Sequence, residues 1–182
     1  MTNKKGDCPS LKIKILDLGC GFKKIGGAIG IDLSPKSGAD IIWDLNQFPW
    51  PISDNEFGIV VCNHILEHLE NVVKAMEEIH RICKSGGIIR IEIPHFSSCH
   101  AFRDITHRHY FGYESFDGLC GFEPWFYTKI KFKLRKRELV FWKLHRIDGI
   151  EFLANKFPIF YEKYFAFIFP ARCLQFELEV IK

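Results

Sequence analysis

No two cysteines of this sequence are spaced as C-x-x-C, and their number, seven, is odd. Several sit inside apolar runs, as in Ile59-Val60-Val61-Cys62. The expectation is therefore buried, reduced thiols and a cytoplasmic address. No apolar run reaches the ~18 residues that a membrane-spanning helix needs, because charges or proline interrupt each one. The first seven residues, Met-Thr-Asn-Lys-Lys-Gly-Asp, carry no apolar stretch after their lysines, so no secretory signal is expected. Charge of one sign is not in excess. Lys and Arg number 25 against 22 for Asp and Glu, giving a net charge of +3 and a pI near 8.4. That is too mild to imply a nucleic-acid partner. Internal repeats, low-complexity tracts and linkers are also missing. What remains is an ordinary globular composition, 47% hydrophobic over 182 residues. A chain of this size buries ~70% of its unfolded surface and holds a core without staples. One domain over 1–182 is expected, with a first half at 12–94 and a second at 95–182.

The first half alternates short apolar segments with turns. Residues 12–18, 28–32, 39–44 and 57–62 read as strands, the last nearly all apolar, as a buried parallel strand should be. Leu69, Val72, Val73, Met76, Ile79 and Ile82 recur at helical spacing, with Lys74, Glu77, Glu78 and Arg81 expected to face water. Lys84-Ser85-Gly86-Gly87 reads as the glycine stop of that helix. Residues 88–93 form a fifth strand, closed by Pro94. Strand, crossover and strand in series imply a parallel sheet with right-handed connections. In the second half, residues 129–135 alternate basic with apolar and read as a strand extending as far as Trp142. Residues 149–169 have helical character, broken at Pro158 and Pro170, and 172–181 alternate again as a last strand.

The chemistry-bearing signal is Asp17-Leu18-Gly19-Cys20-Gly21 at the end of the first strand, followed by Gly30-Ile31-Asp32-Leu33-Ser34. Glycines there let a ligand approach the backbone. An acid closing the second strand can accept both hydroxyls of a ribose. A second acid, Asp44, closes the third strand.

With Trp43-Asp44-Leu45-Asn46-Gln47-Phe48-Pro49-Trp50, Asn63-His64-Ile65-Leu66-Glu67-His68-Leu69 and Glu78-Ile79-His80-Arg81-Ile82-Cys83-Lys84-Ser85-Gly86-Gly87, these words resemble a class I S-adenosylmethionine-dependent methyltransferase of the type-eleven methyltransferase-domain group. The resemblance covers about residues 12–94. It implies a Rossmann-like α/β fold with a mostly parallel seven-stranded sheet and an antiparallel last strand. It also implies S-adenosylmethionine as cofactor, with S-adenosylhomocysteine as product. On that resemblance Asp17, Gly19, Cys20 and Gly21 line the methionine end. Asp32, with Leu33 beside it, holds the ribose, Asp44 and Leu45 meet the adenine, and Asn63 and His64 flank the methionine moiety. Carboxylates suit a ligand that carries a sulfonium and an ammonium. Glu67-His68 reads more simply as a helix start. One departure stands out. Only residues 22–29 separate Gly21 from Gly30, too few for a helical crossover, so they must cross as a loop or single turn. Lys24 also occupies the place where a dinucleotide G-x-G-x-x-G would need its last glycine, which argues against a nicotinamide dehydrogenase.

Four of the eight histidines lie between 95 and 109. This segment follows the fifth strand, where a methyl acceptor would arrive, and is expected to close over it. His95, His107 and His109 are the candidate catalytic bases. Imidazole and carboxylate at His95, His100, Asp104, His107 and His109 would suit zinc or iron. Their spacing fits no standard ligand signature, and no metal is expected. Lysines over 129–137 read as protection of a sheet edge rather than as an RNA surface. The aromatic segment 152–169 exceeds what one core helix buries. It could cover the sheet, cap an apolar acceptor, form a homodimer face or lie on a membrane surface. The reading adopted is methyl transfer to a small-molecule or lipid-like acceptor. Two others stay open: an RNA or protein methyltransferase using 129–137, and a relative that binds the cofactor or a nucleotide without catalysis.

Overall fold

A computed structural model describes residues 13–124 and 126–182. The expected absence of a signal at 1–7, Cys8 and the opening Lys12 of the first strand lie outside the described residues. Strands β1 (Ile15–Leu18), β2 (Ile29–Asp32), β3 (Ile41–Ile42), β4 (Phe57–Asn63) and β5 (Cys83–Pro94) pair in parallel. β7 (Cys173–Ile181) inserts antiparallel between β5 and β6 (Lys131–Val140). The sheet order is β3-β2-β1-β4-β5-β7-β6. This is the Rossmann-like arrangement expected from the sequence.

The strands carry their apolar residues as the pleat demands. Ile89, Ile91 and Ile93 of β5, Leu174, Phe176 and Leu178 of β7, and Phe132 and Leu139 of β6 are buried together on one face. The opposite face of the same three strands is charged, with Arg90 paired to Glu177 and Arg135 to Glu179. β6 is the sheet edge, and its lysines alternate out of the core. A register shift at Leu134/Lys136 then turns Arg137 inward, where its guanidinium pairs with Asp117 and lies 4.0 Å over the Tyr113 ring.

Helix α1 (Val72–Ile82) starts at Asn71, whose side chain accepts from the Lys74 N–H at 2.9 Å. It buries Ala75, Met76, Ile79 and Ile82. Two expectations change here. Glu78 and Arg81 do not simply face water. Glu78 accepts from the Trp50 N–H at 2.7 Å, and Arg81 donates to the carbonyls of Ile52 and Trp50, so the pair fastens the loop before β4 to the helix. The glycine stop also lies inside a strand. The helix runs straight into β5 at Cys83, and residues 84–87 bulge between the pairs Phe57–Cys83 and Ile59–Ile88. Gly86 takes φ +74° in that bulge.

Five short helices follow among the described residues: α2 (Cys99–Arg103), α3 (Asp117–Cys120), α4 (Lys143–Ile147), α5 (Ile150–Lys156) and α6 (Pro158–Tyr164). The helical stretch breaks at Pro158 as expected, between α5 and α6, and Pro158 opens α6. Within the aromatic segment, Tyr161 is buried, while Phe152, Phe157, Phe160 and Phe167 are exposed. Six free cysteines are described, four of them buried. No described helix is long and apolar enough to cross a membrane.

Candidate active site

The strand order lines up the carboxyl ends of β3, β2, β1 and β4, so the residues that follow these strands stand side by side. Asp44 follows β3, Asp32 closes β2, Gly19–Gly21 follow β1, and Asn63 closes β4 with His64 just beyond. Residues 19–28 form turns without a helix, as the short spacing requires. Gly19 and Gly21 take φ +64° and +52°, conformations that side chains rarely adopt. Asp32 accepts from the N–H of Gly21 at 2.9 Å through one oxygen and from Ser34 at 2.8 Å through the other. Each oxygen keeps a lone pair for a hydroxyl. Leu33 is exposed beside it. Asp44 accepts from the Asn46 N–H at 2.9 Å, and Leu45 is buried.

Asp17 and Cys20 are buried at the glycine turn. Asp17 is buried and accepts from the Ile25 N–H at 2.9 Å, and burial pushes its carboxyl above the ordinary value. Cys20 is buried against Gly30, where a Cβ would stand 2.7 Å from its sulfur. Lys24 stands where the dinucleotide fingerprint would need glycine. It lays its stem over Gly30 and pairs with Asp40 at 2.8 Å. Asp40 in turn accepts from the Gly30 N–H at 2.7 Å.

Past β4 the polypeptide enters left-handed backbone at His64, φ +51°. Its imidazole reaches Glu67 at 3.2 Å and Glu92 at 3.4 Å. Hydrogen bonding to Glu67, then to Glu92, raises the His64 imidazole to about 9. Residues Leu66–His68 form a 3-10 turn, so the helix start expected at Glu67-His68 is present in that tighter form. Glu67 is 1% exposed, and its Oε2 has no hydrogen-bond partner.

A cleft of about 510 Å³ opens at this end of the sheet, lined by His64, Glu67, His68, Pro94, His100, Arg103, Asp104, Ile105 and His107. Burial, with Arg103 adding to it, holds the His100 imidazole below its ordinary value. Of the three histidines expected to be catalytic, only His107 lines this cleft. His95 is fully buried, its ring nitrogens engaged by Ser97 at 2.7 Å and Glu162 at 3.0 Å. His109 donates to the Leu69 carbonyl at 2.9 Å and faces α1. The 95–111 segment is fastened to the body. Arg108 N–H donates to the Glu67 carbonyl at 2.8 Å, and within the segment Phe96 N–H donates to the Phe111 carbonyl at 2.9 Å. Sequence reasoning had set Glu67 and His68 aside as a helix start. The signal for them was present in the tight run His64-Ile65-Leu66-Glu67-His68, directly after a buried strand.

Comparison with known proteins agrees with this fold. Residues 16–91 match the family model described as Methyltransferase domain. No curated protein sequence matches the chain. Among solved structures, the YcgJ protein of Bacillus subtilis is 12% identical with a TM-score of 0.59, covering 93% of this chain and 92% of that one. A S-adenosylmethionine-dependent methyltransferase from Mesorhizobium loti is 15% identical with a TM-score of 0.58, covering 92% and 90%. The [4+2]-cyclase SpnF is 17% identical with a TM-score of 0.59, covering 93% and 75%. The stretch from Leu16 to Ile91, which carries both the glycine turn and the acids at the strand ends, matches a methyltransferase domain, and the fold around it is that of class I S-adenosylmethionine-dependent methyltransferases, a family whose cofactor is S-adenosylmethionine.

Proposed function

We propose that the chain transfers the methyl group of S-adenosylmethionine to an oxygen or nitrogen of a small polar acceptor held in the cleft beside His107. The observation that carries this reading is the position of the cleft. It begins where the row of cofactor-side strand ends stops, at β4 and β5, and it is lined by imidazoles and carboxylates. Asp32, Gly19 and Gly21 would hold the ribose and methionine portions, with Asp44 and Leu45 at the adenine. Asn63 and His64 would flank the methionine end. Asp17 and Cys20 support the turn from behind. The bound cofactor supplies an electrophilic methyl on sulfur. The protein's part is to place the acceptor in line with it and to exclude water.

His107 would contact the acceptor, while His95 and His109 would fix the segment that carries it. A lipid-like acceptor has a second place to reach, a groove of about 330 Å³ lined by Leu153, Phe157, Phe160, Tyr161, Phe165 and Phe169. The same exposed aromatics would serve a homodimer or a membrane surface. The cleft does not reach the basic strand, whose Arg135 and Lys136 are paired with Glu179 and Glu138. That favours a small molecule over RNA or protein. Six free thiols fit a reducing compartment such as the cytoplasm.

The test has two stages. Calorimetry with S-adenosylhomocysteine should show binding, and labelled methyl transfer should then be screened against small hydroxyl and amine acceptors. Cofactor binding without transfer to any acceptor class would favour the non-catalytic relative. Absence of cofactor binding would remove the reading.

A further inference from the structure

Among the described residues, Glu67, His68 and His107 each offer one ligand atom within 4.8 Å of the others. We propose that these three residues form a divalent transition-cation site, of the zinc or iron(II) class, in the floor of the acceptor cleft.

The carboxylate comes first. Glu67 is 1% exposed and its Oε2 has no partner, an arrangement that costs free energy unless something positive meets it. Its other oxygen is held by His64 at 3.2 Å, which fixes how the carboxylate is presented.

The histidines are fixed as ligands too. His107 Nδ1–H donates to the Ala101 carbonyl at 2.9 Å, which can only accept, so its Nε2 carries the lone pair. His68 reaches the same state through a relay. The Thr106 hydroxyl gives its single proton to Asp104 at 2.7 Å. Towards His68 Nδ1, at 2.9 Å, it can therefore only accept, which leaves the lone pair on His68 Nε2. Each imidazole thus has an outer partner of the kind that orients metal-binding histidines. The two rings meet edge to face with centroids 4.6 Å apart. Ligands around one cation at ~2.1 Å sit about 3–3.4 Å apart, so small side-chain rotations complete the site.

Two imidazoles and one carboxylate suit zinc and iron(II) and leave coordination positions open. Those positions face the cleft, where an acceptor oxygen or nitrogen would take one. That last step rests on the proposed function; cation binding does not.

The test uses the full chain without a histidine tag, stripped with chelator, and cobalt(II) or zinc(II) alone as probe, with no methyl donor present. Calorimetry and the cobalt visible spectrum should show one equivalent bound at micromolar affinity or tighter, with a rise in melting temperature. Glu67→Gln and His107→Gln should each weaken binding at least tenfold. Thr106→Val, which breaks only the relay, should weaken it about 10–100-fold. His80→Gln, outside the cluster, should bind as the wild type does. His107 is half-buried, so its variant keeps the test sound if Glu67→Gln fails to fold. Absence of stoichiometric binding to the wild type overturns the proposal. So does binding that His107→Gln leaves unchanged.

Discussion

The Asp32 carboxylate holds the Gly21 N–H at 2.9 Å, so the acid that ends β2 is tied to the glycine turn that follows β1. On the proposed reading, ribose recognition and the shape of the turn depend on one side chain. Asp32→Ala should weaken S-adenosylhomocysteine binding by a factor of ten or more, the equivalent of about 1.5–3 kcal/mol for a lost charge-assisted bond. Calorimetry on both proteins reads this directly, and equal affinities would place the ribose elsewhere.

Gly19 combines φ +64° with a neighbour too close for any side chain, since an added Cβ would stand 2.6 Å from Ile65 Cδ1. Gly19→Ala should lower the unfolding free energy by at least the ~1–2 kcal/mol cost of left-handed backbone, read as a lower urea midpoint. Adding Ile65→Ala, which removes the atoms at 2.6 and 2.7 Å, should recover most of the steric part and none of the backbone part. An unchanged midpoint in Gly19→Ala would show that the turn relaxes freely.

The histidines of the 95–109 segment should separate by assay. His95→Ala removes a buried ring between Ser97 and Glu162 and should destabilise the fold by about 1–3 kcal/mol. His107→Ala should leave the melting temperature close to wild type and lower methyl transfer strongly, with cofactor affinity preserved. Melting curves, calorimetry and initial rates on both variants decide the matter. Full activity in His107→Ala would move the acceptor to the aromatic groove.

Burial pushes the Glu78 carboxyl up, but the hydrogen bonds from Arg81 and the Trp50 N–H, with the charge of Arg81, outweigh it. The net result holds the group below its ordinary 4.5, despite the opposing charge of Asp54. A carboxyl depressed in the folded state contributes stability above its unfolded value, and that contribution is lost as pH falls through the folded one. Wild type should therefore be more stable than Glu78→Gln at pH 7, and the difference should shrink progressively below about pH 4.5. Urea titrations at pH 7, 5 and 3.5 would reveal a constant gap if the group were not linked in this way.

RNA should bind weakly at physiological salt, because Arg135, Lys136 and Arg137 of the edge strand already have carboxylate partners. A filter-binding assay showing submicromolar affinity with a steep salt slope would assign the basic strand to RNA.

Much of the cofactor half was legible because its signals are local. Gly19, Gly21 and the acids Asp32 and Asp44 announce strand ends by sequence spacing alone, and the eight residues from 22 to 29 left no room for a helix. Other features depended on partners far away in the chain. Glu78 and Arg81 have the helical spacing of solvent-facing residues, yet the loop at 50–54 covers them. Lys84-Ser85-Gly86-Gly87 resembles a helix stop, yet the pairing of β4 with β5 absorbs it as a bulge.

The sequence by itself determined the succession of strands, the glycine turn and the acids at the ends of β2 and β3, because periodicity and backbone freedom act over a few residues. Only the tertiary structure decided which histidines meet. His95, twelve residues before His107, is drawn under α6 by Glu162, while His107 comes to rest against Glu67 and His68, about forty positions earlier in the chain. The spacing along 95–109 encodes neither outcome, because both depend on contacts made only when the segment folds back onto the ends of β4 and β5.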